Sequence, residues 1–221
     1  MIKLYRFDYS PYARKVQMVL DLMGVPYEAV DVPYGDRTEL AELTGGYIQV
    51  PVLVNDGGRA VFDSRNICRE LVAEQAGSWL VPTGLEGPVW AYTDWCDGAL
   101  EDVMFRIASP LLRTRFPRAA DRAMYVFVKE RKFGTGCVDQ WVRDHDALVE
   151  KATDMLQPTL QTLSTKPFLF GERPTLADAA LYGEFAMLRA AGAGLPGRIS
   201  PVFVQWMGRL ESSAAKGDVA R

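Results

Sequence analysis

The chain has 221 residues, 25 Lys plus Arg against 28 Asp plus Glu, a formal net charge of −3, three cysteines and one histidine. This is ordinary globular composition, long enough for one large or two small domains. Cys68, Cys96 and Cys137 with a lone histidine are too few for a zinc finger and too sparse for a secreted disulfide scaffold, so a cytoplasmic setting without a metal is expected.

A mildly acidic chain is a poor generic nucleic-acid binder. The longest uncharged stretch, Leu43 to Asn55, is thirteen residues and is broken by Gly45, Gly46 and Pro51, too short to span a bilayer. The opening Met1-Ile-Lys-Leu alternates like a strand and lacks a signal peptide's apolar core. Neither a nucleic-acid nor a membrane partner is expected.

In chain order, Ile2, Leu4 and Arg6 alternate with Lys3, Tyr5 and Phe7 as a strand. Ser10 followed by Pro11 reads as a helix start, with Val16, Val19, Leu20 and Met23 at helical spacing, Gly24 as a left-handed cap and Pro26 beyond it. Tyr27 to Val32 is a second strand. Asp36-Arg-Thr-Glu39 has the pattern of a capping box and opens a short helix through Leu43. Val52 to Asn55 and Arg59 to Phe62 flank Asp56-Gly57-Gly58 as a hairpin. Ser64 to Gln75 reads as a helix with Ile67, Leu71 and Val72 inward. Strands alternating with helices, then a hairpin, indicate one mixed sheet with helices on its faces.

Gly77 to Pro88 carries three glycines and two prolines and reads as the boundary between domains 1–80 and 88–221. Beyond it the helices expected are Pro88 to Leu112, Ala119 to Phe133, Val138 to Leu163, Leu176 to Ala191 and Pro201 to Ser212. The third carries an apolar stripe of Val138, Trp141, Val142, Leu148, Val149, Ala152, Met155 and Leu156, with Pro158 expected to kink or end it. Thr175-Leu-Ala-Asp178 is a capping box and reads as structural.

Four strings in order resemble the glutathione transferase superfamily: Ser10-Pro-Tyr-Ala-Arg-Lys-Val16, Val50-Pro51-Val-Leu53, Asp63-Ser64 followed by Ile67, and Pro174-Thr-Leu-Ala-Asp178. The resemblance covers the whole chain. It implies an N-terminal thioredoxin-like domain of α/β class, then an all-α helical bundle domain, usually as a homodimer. It also implies conjugation of glutathione, as co-substrate, to a small hydrophobic electrophile, a detoxification chemistry. By the same resemblance Pro51 is expected to be cis and to turn the Val50 backbone toward the tripeptide. Asp63 and Ser64 would then receive its γ-glutamyl end. The family commonly has Gly-Lys before Val-Pro. This chain has Ile48-Gln49, so the long cationic contact to the tripeptide's carboxylate is expected to be lost or replaced by the Gln49 amide. That departure motivates an alternative, a non-catalytic binding or interaction protein on the same fold.

A thiol near pKa ~8.5 is only a few per cent ionised at neutral pH. A hydroxyl at a helix N-terminus supplies a charge-assisted hydrogen bond and the helix dipole to a thiolate. Ser10 stands at such a start and is the expected catalytic donor, with Tyr9 its rival; Tyr5 ranks below both. Members of the family that exchange disulfides generally place cysteine where Ser10 stands, so that chemistry ranks low here. Tyr12, Tyr92, Trp95 and Met104, with Phe105, are candidates for the electrophile pocket, although such residues at helical spacing are more often core. Gly192 to Gly197 matches a dinucleotide-binding string but follows a helix and reads as a loop. Arg113, Arg115, Arg118 and Arg122, with Lys129, Arg131 and Lys132 beyond, form a basic run able to attract an anionic second substrate, though such runs are more often solvated helix faces. His145 lies on or beside an apolar stripe and reads as packed or surface-exposed.

Overall fold

The computed structural model describes residues 1–74 and 77–216. Strand β1 (Ile2–Arg6) pairs in parallel with β2 (Tyr27–Asp31) and antiparallel with β3 (Val52–Val54), which pairs antiparallel with β4 (Ala60–Phe62), giving the sheet order β2-β1-β3-β4. The first parallel connection is made by helix α1 (Pro11–Met23), α2 (Thr38–Thr44) follows β2, and α3 (Ser64–Ala73) follows the hairpin. The alternation of β1 sorts its side chains. Leu4 joins Val16, Val19 and Leu20 of α1 on one face, while Tyr5 joins Val52 and Leu40 of α2 on the other.

Local chemistry sets the ends of these elements. Ser10 Oγ accepts from the Ala13 amide at 3.3 Å and Pro11 takes the first helical position, where its missing N–H is of no consequence. Gly24 closes α1 at φ 65°, a conformation costly for any residue with a Cβ. The capping box expected at Asp36 does not form. Asp36 accepts from the amide and hydroxyl of Thr38, two residues on, and Glu39 is drawn off by the Tyr5 hydroxyl at 2.8 Å. Helix α3 is capped by Asp63, whose Oδ1 accepts from the Arg65 and Asn66 amides. Gln75, the last residue expected of this helix, lies outside the described residues, and Val72 is only partly buried.

After a 3-10 turn at Ser78–Leu80 the chain is helical. Helix α4 (Glu86–Trp95) runs through a π turn at Cys96–Leu100 into α5 (Glu101–Leu112), and α6 (Ala119–Phe133) follows. The single helix expected over 138–163 is three: α7 (Cys137–Arg143), α8 (His145–Met155) and α9 (Gln157–Leu163). Val142 of the expected stripe is 53% exposed. Pro158 sits in the first turn of α9, so it marks a start and not a kink.

Helix α10 (Leu176–Ala191) is buried along most of its length, opened by Asp178 accepting from the amide and hydroxyl of Thr175 at 2.9 and 3.0 Å. The other carboxylate oxygen of Asp178 accepts from the Leu169 amide and the Trp206 indole, so the expected structural role has a full set of partners. The glycine-rich string after α10 contains a short helix, α11 (Leu195–Ile199), instead of a plain loop, and α12 (Pro201–Lys216) ends the described chain. Among the described residues no helix is long and apolar enough to cross a membrane.

Helix α10 docks directly on α1. A Cβ built on Gly183 would lie 2.3 Å from the Pro11 carbonyl oxygen, so only glycine permits this approach. The contact holds the start of α1, and with it Ser10, against the helical bundle.

Candidate active site

Two adjoining cavities lie between the sheet's helix ends and the helical bundle. The first, about 470 Å³, is lined by Gln49, Val50, Pro51, Asp63 and Ser64 on the sheet side and by Asp97, Glu101 and Lys132 on the helical side. The second, about 270 Å³, has Tyr9, Ser10, Tyr34, Arg37, Phe105 and Lys129 among its walls. Tyr12, Gln49, Val50 and Glu101 border both, so the two are continuous.

The Val50–Pro51 bond is cis. Neither the N–H nor the C=O of Val50 has a hydrogen-bond partner among the described residues, which leaves one donor and one acceptor at the edge of the first cavity. Asp63 adopts φ 71°, unusual for a residue with a side chain, and this sets it at the cavity edge while it caps α3. Its Oδ1 takes both cap bonds, so Oδ2 remains for a cation. Ser64 is buried at the first position of the same helix, at the positive end of its dipole, while the Arg65 and Asn66 amides are engaged by Asp63.

Ser10 is 7% exposed and its hydroxyl oxygen caps α1. Tyr9 lies in the same wall. Its hydroxyl is buried without a partner among the described residues, and burial pushes its pKa up, so it stays a protonated donor. Tyr5 faces away, bonded to Glu39 beneath α2, with burial pushing its pKa up to about 12. The Tyr12 hydroxyl donates to the Asp97 carbonyl at 3.2 Å across the two domains. Beneath it Lys15, 1% exposed, pairs with the Asp97 carboxylate at 2.5 Å. Glu184 of α10 completes this buried group, its pKa pushed well up by burial.

The structure thus brings together Ser10, Tyr9, Tyr12, Gln49, Val50, Pro51, Asp63 and Ser64. It leaves out three expected pocket residues. Tyr92 bonds Thr159 at 2.7 Å and packs on Trp95 and Phe170, and Met104 is wholly buried, so none of Tyr92, Trp95 and Met104 lines either cavity. The physical reason is that Tyr92, Trp95 and Met104 pack into the core of the bundle, off the stripe formed by Asp94, Asp97, Glu101 and Phe105, which recurs at helical spacing and faces the cavities. That stripe brings Asp97 and Glu101 to the first cavity. Neither was singled out from the sequence, nor were Tyr34 and Arg37. An acidic residue opening an otherwise apolar helix was the available signal for Glu101. Among the described residues no three His, Cys, Asp or Glu side chains group as a metal site.

The glutathione S-transferase N-terminal domain model matches residues 4–79 and the glutathione S-transferase C-terminal domain model matches residues 101–214. Glutaredoxin 2 of Escherichia coli is 27% identical over 212 residues, 90% of this chain and 91% of that protein. A probable glutathione S-transferase of Zea mays is 33% identical over 84 residues, 34% of this chain and 36% of its own length. The crystal structure of a glutathione S-transferase of Ceriporiopsis subvermispora in complex with glutathione superposes with a TM-score of 0.80 at 16% identity, covering 96% of this chain and 97% of that one. Glutaredoxin 2 of Salmonella typhimurium, also in complex with glutathione, gives 0.68 at 19% identity over 94% and 98%. At those identities the two superpositions speak for the fold.

Proposed function

Since this chain belongs to the glutathione S-transferase superfamily, we propose that it is a transferase that adds the glutathione thiolate to a small hydrophobic electrophile. The observation that carries this reading is the continuity of the two cavities past Tyr12, Gln49 and Val50, with Ser10 at the start of α1 in the wall of the second. The first cavity then takes the tripeptide. Asp63 Oδ2 receives the γ-glutamyl ammonium, and the Ser64 hydroxyl and the α3 N-terminus receive its carboxylate. The free Val50 N–H and C=O pair with the cysteinyl backbone as an added strand would. The Gln49 amide stands where the family carries a cation, so the glycine end is held by a neutral hydrogen bond.

The sulfur then reaches Ser10, whose hydroxyl donates to it. Lowering a thiol pKa by about two units requires about 2.7 kcal/mol of differential stabilisation. One charge-assisted hydrogen bond together with a helix N-terminus supplies an amount of that order. The electrophile occupies the second cavity. The same reading includes a homodimer in the cytoplasm and a division of the chain into domains 1–80 and 88–221; sedimentation velocity on the purified protein tests the dimer.

A second reading, thiol–disulfide exchange, is suggested by the name of the Escherichia coli relative. It needs a thiolate at the start of α1, where this chain has Ser10. Cys68 and Cys96 are fully buried and burial pushes both thiols up, Cys68 to about 12. These observations favour the transferase.

The test is calorimetric titration of glutathione together with conjugation of chlorodinitrobenzene by the wild type, Ser10→Ala and Tyr9→Phe. Ser10→Ala is expected to lower kcat about tenfold or more with glutathione still bound. Unchanged turnover in Ser10→Ala with loss in Tyr9→Phe transfers the catalytic role to Tyr9. No glutathione binding at millimolar concentration sinks the transferase and favours the non-catalytic binding protein.

A further inference from the structure

The basic run that begins at Arg113 divides by partner and by burial: among the described residues Lys129, Arg131 and Lys132 have no carboxylate within 4.0 Å, and of these Lys129 alone is buried. Arg113, Arg115 and Arg118 face the carboxylates of Asp139, Asp8 and Asp121, and Arg122 donates to the Phe116 and Pro117 carbonyls. Lys129 of α6 is 8% exposed, lines the second cavity, and has no carboxylate within 4.0 Å among the described residues.

What surrounds the Lys129 ammonium is aromatic. Nζ lies 3.3 Å from the Tyr125 ring centroid, 5.4 Å from that of Phe105 and 5.5 Å from that of Tyr34, and it donates to the Tyr34 hydroxyl at 3.4 Å. Ring faces hold a cation in position. They carry no net charge, so the positive charge of Lys129 is buried without a counter-ion. Arg37 enters the same cavity from the other domain, stacked over Phe7 at 4.9 Å and Tyr34 at 5.1 Å, with hydrogen bonds to the Tyr34 and Ile48 carbonyls and no carboxylate within 4.0 Å among the described residues.

Besides the Tyr125 and Tyr34 hydroxyls, the titratable and charged groups facing Lys129 are Arg37 beside α2, Lys132 on its own helix, Cys137 of α7 and Glu101 of α5. Burial, with Arg37 and Lys132, pushes Lys129 down to about 7 against the opposing pull of Cys137 and Glu101. Glu101 is the one carboxylate lining the cavity among the described residues, and burial pushes it up to about 7. At neutral pH the Arg37 guanidinium and a partly protonated Lys129 therefore meet one partly ionised acid inside aromatic walls. A neutral hydrophobic ligand would fill the volume and leave Lys129 uncompensated; an aromatic anion fills it and supplies the missing charge.

Resting on the transferase reading above, we propose that the electrophile is an aromatic compound bearing a carboxylate or similar anionic group, with Lys129 as the specificity-determining residue and Arg37 beside it. With an activated aryl halide as the probe, the thiol proton leaves to solvent, the thiolate pair forms the carbon–sulfur bond, and chloride departs with the electrons of the carbon–chlorine bond. Lys129 takes no part in this exchange; it holds the carboxylate.

The experiment compares chlorodinitrobenzoate with neutral chlorodinitrobenzene, each kcat/KM divided by that compound's uncatalysed rate with glutathione. The wild type is expected to prefer the benzoate by about tenfold or more, Lys129→Met to lose that preference and Lys129→Arg to keep it. The glutathione KM should not move in either variant. The preference should fall as pH rises through about 7, because Lys129 loses its charge and Glu101 gains one over the same range. Equal use of both compounds by the wild type, or a preference that survives Lys129→Met, overturns the proposal. A rise in glutathione KM in Lys129→Met also overturns it, since the cation would then serve the tripeptide. If neither compound is conjugated, the transferase reading fails, and the anion site is read directly by calorimetric titration of dinitrobenzoate against dinitrobenzene. Benzoate binding that is lost in Lys129→Met supports the site, and no such difference overturns it.

Discussion

Gly183→Ala adds one methyl group at the point where α10 crosses α1. That methyl carbon would lie 2.3 Å from the Pro11 carbonyl oxygen, 3.1 Å from the Pro11 carbonyl carbon and 3.2 Å from the Lys15 amide nitrogen. All three are backbone atoms of a helix, so no side chain can swing away. The first distance is about an ångström short of ordinary contact, and only separation of the helices relieves it. Overpacking of this kind costs about 1–3 kcal/mol, and rigid backbone on both sides places this case at the upper end. Alanine recovers about 1 kcal/mol of helix propensity, which leaves a net loss of about 2 kcal/mol. For a chain of this size that is a fall in Tm of about 4–8 °C.

Gly208 of α12 supplies the control, because a Cβ there meets nothing within 4 Å. Gly208→Ala should be neutral or stabilising by up to about 1 kcal/mol. Urea and thermal unfolding of both variants measure the difference, and conjugation rates report whether the start of α1 has moved with Ser10. If Gly183→Ala proved as stable as Gly208→Ala, the close approach of α10 to α1 would not be the constraint inferred from it.

Lys129→Met should stabilise the protein near neutral pH. The lysine is pushed down from 10.5 to about 7 on folding, so between those values the unfolded chain holds more protons and stability rises with pH. The penalty is complete below about 7 and gone above 10.5, so the methionine variant should gain roughly 2–4 kcal/mol at the low end and converge on the wild type at the high end in urea titrations across that range. Asp63→Asn keeps a cap acceptor and removes the charge: stability should change by less than about 1 kcal/mol while the glutathione Kd rises about tenfold, and an unchanged Kd would reduce Asp63 to a helix cap. Of the three thiols, Cys68 and Cys96 are wholly buried, so a thiol reagent should titrate at most Cys137 in the native protein and all three in denaturant. Rapid native reaction of more than one would contradict the packing.

Features governed by a few neighbouring residues were readable in the sequence. Ser10-Pro11, Gly24 and the Thr175–Asp178 box each act within one helical turn, and each forms as its residues specify. The bounds of α6 and α10 follow from periodicity in the same way. Where a distant residue competes, the reading fails. Asp36-Arg-Thr-Glu39 has the right letters for a box, but the Tyr5 hydroxyl on β1 claims Glu39. Between Val142 and Leu148 the apolar pattern pauses for more than a turn, so it reads the same for one helix or two. The break falls at Asp144, which ends α7 and precedes α8. The side of the site proposed for the tripeptide came from short strings that fold locally. Its helical side, Asp94, Asp97, Glu101 and Phe105, recurs at helical spacing but is mostly charged, so a search for apolar stripes passes over it.

The cap on α1 has a consequence for chemical selectivity. A serine hydroxyl has one hydrogen and two lone pairs. In Ser10 a lone pair is engaged by the Ala13 amide, which fixes the oxygen and leaves its hydrogen as the directional element. With the α1 dipole behind it, the position offers a proton and positive potential, and little appetite for receiving a proton in return. On the transferase reading proposed above, such a spot distinguishes two states of one ligand atom: it favours sulfur that has already ionised over sulfur that still carries hydrogen. A cap whose first task is to begin a helix thereby becomes a filter on protonation state.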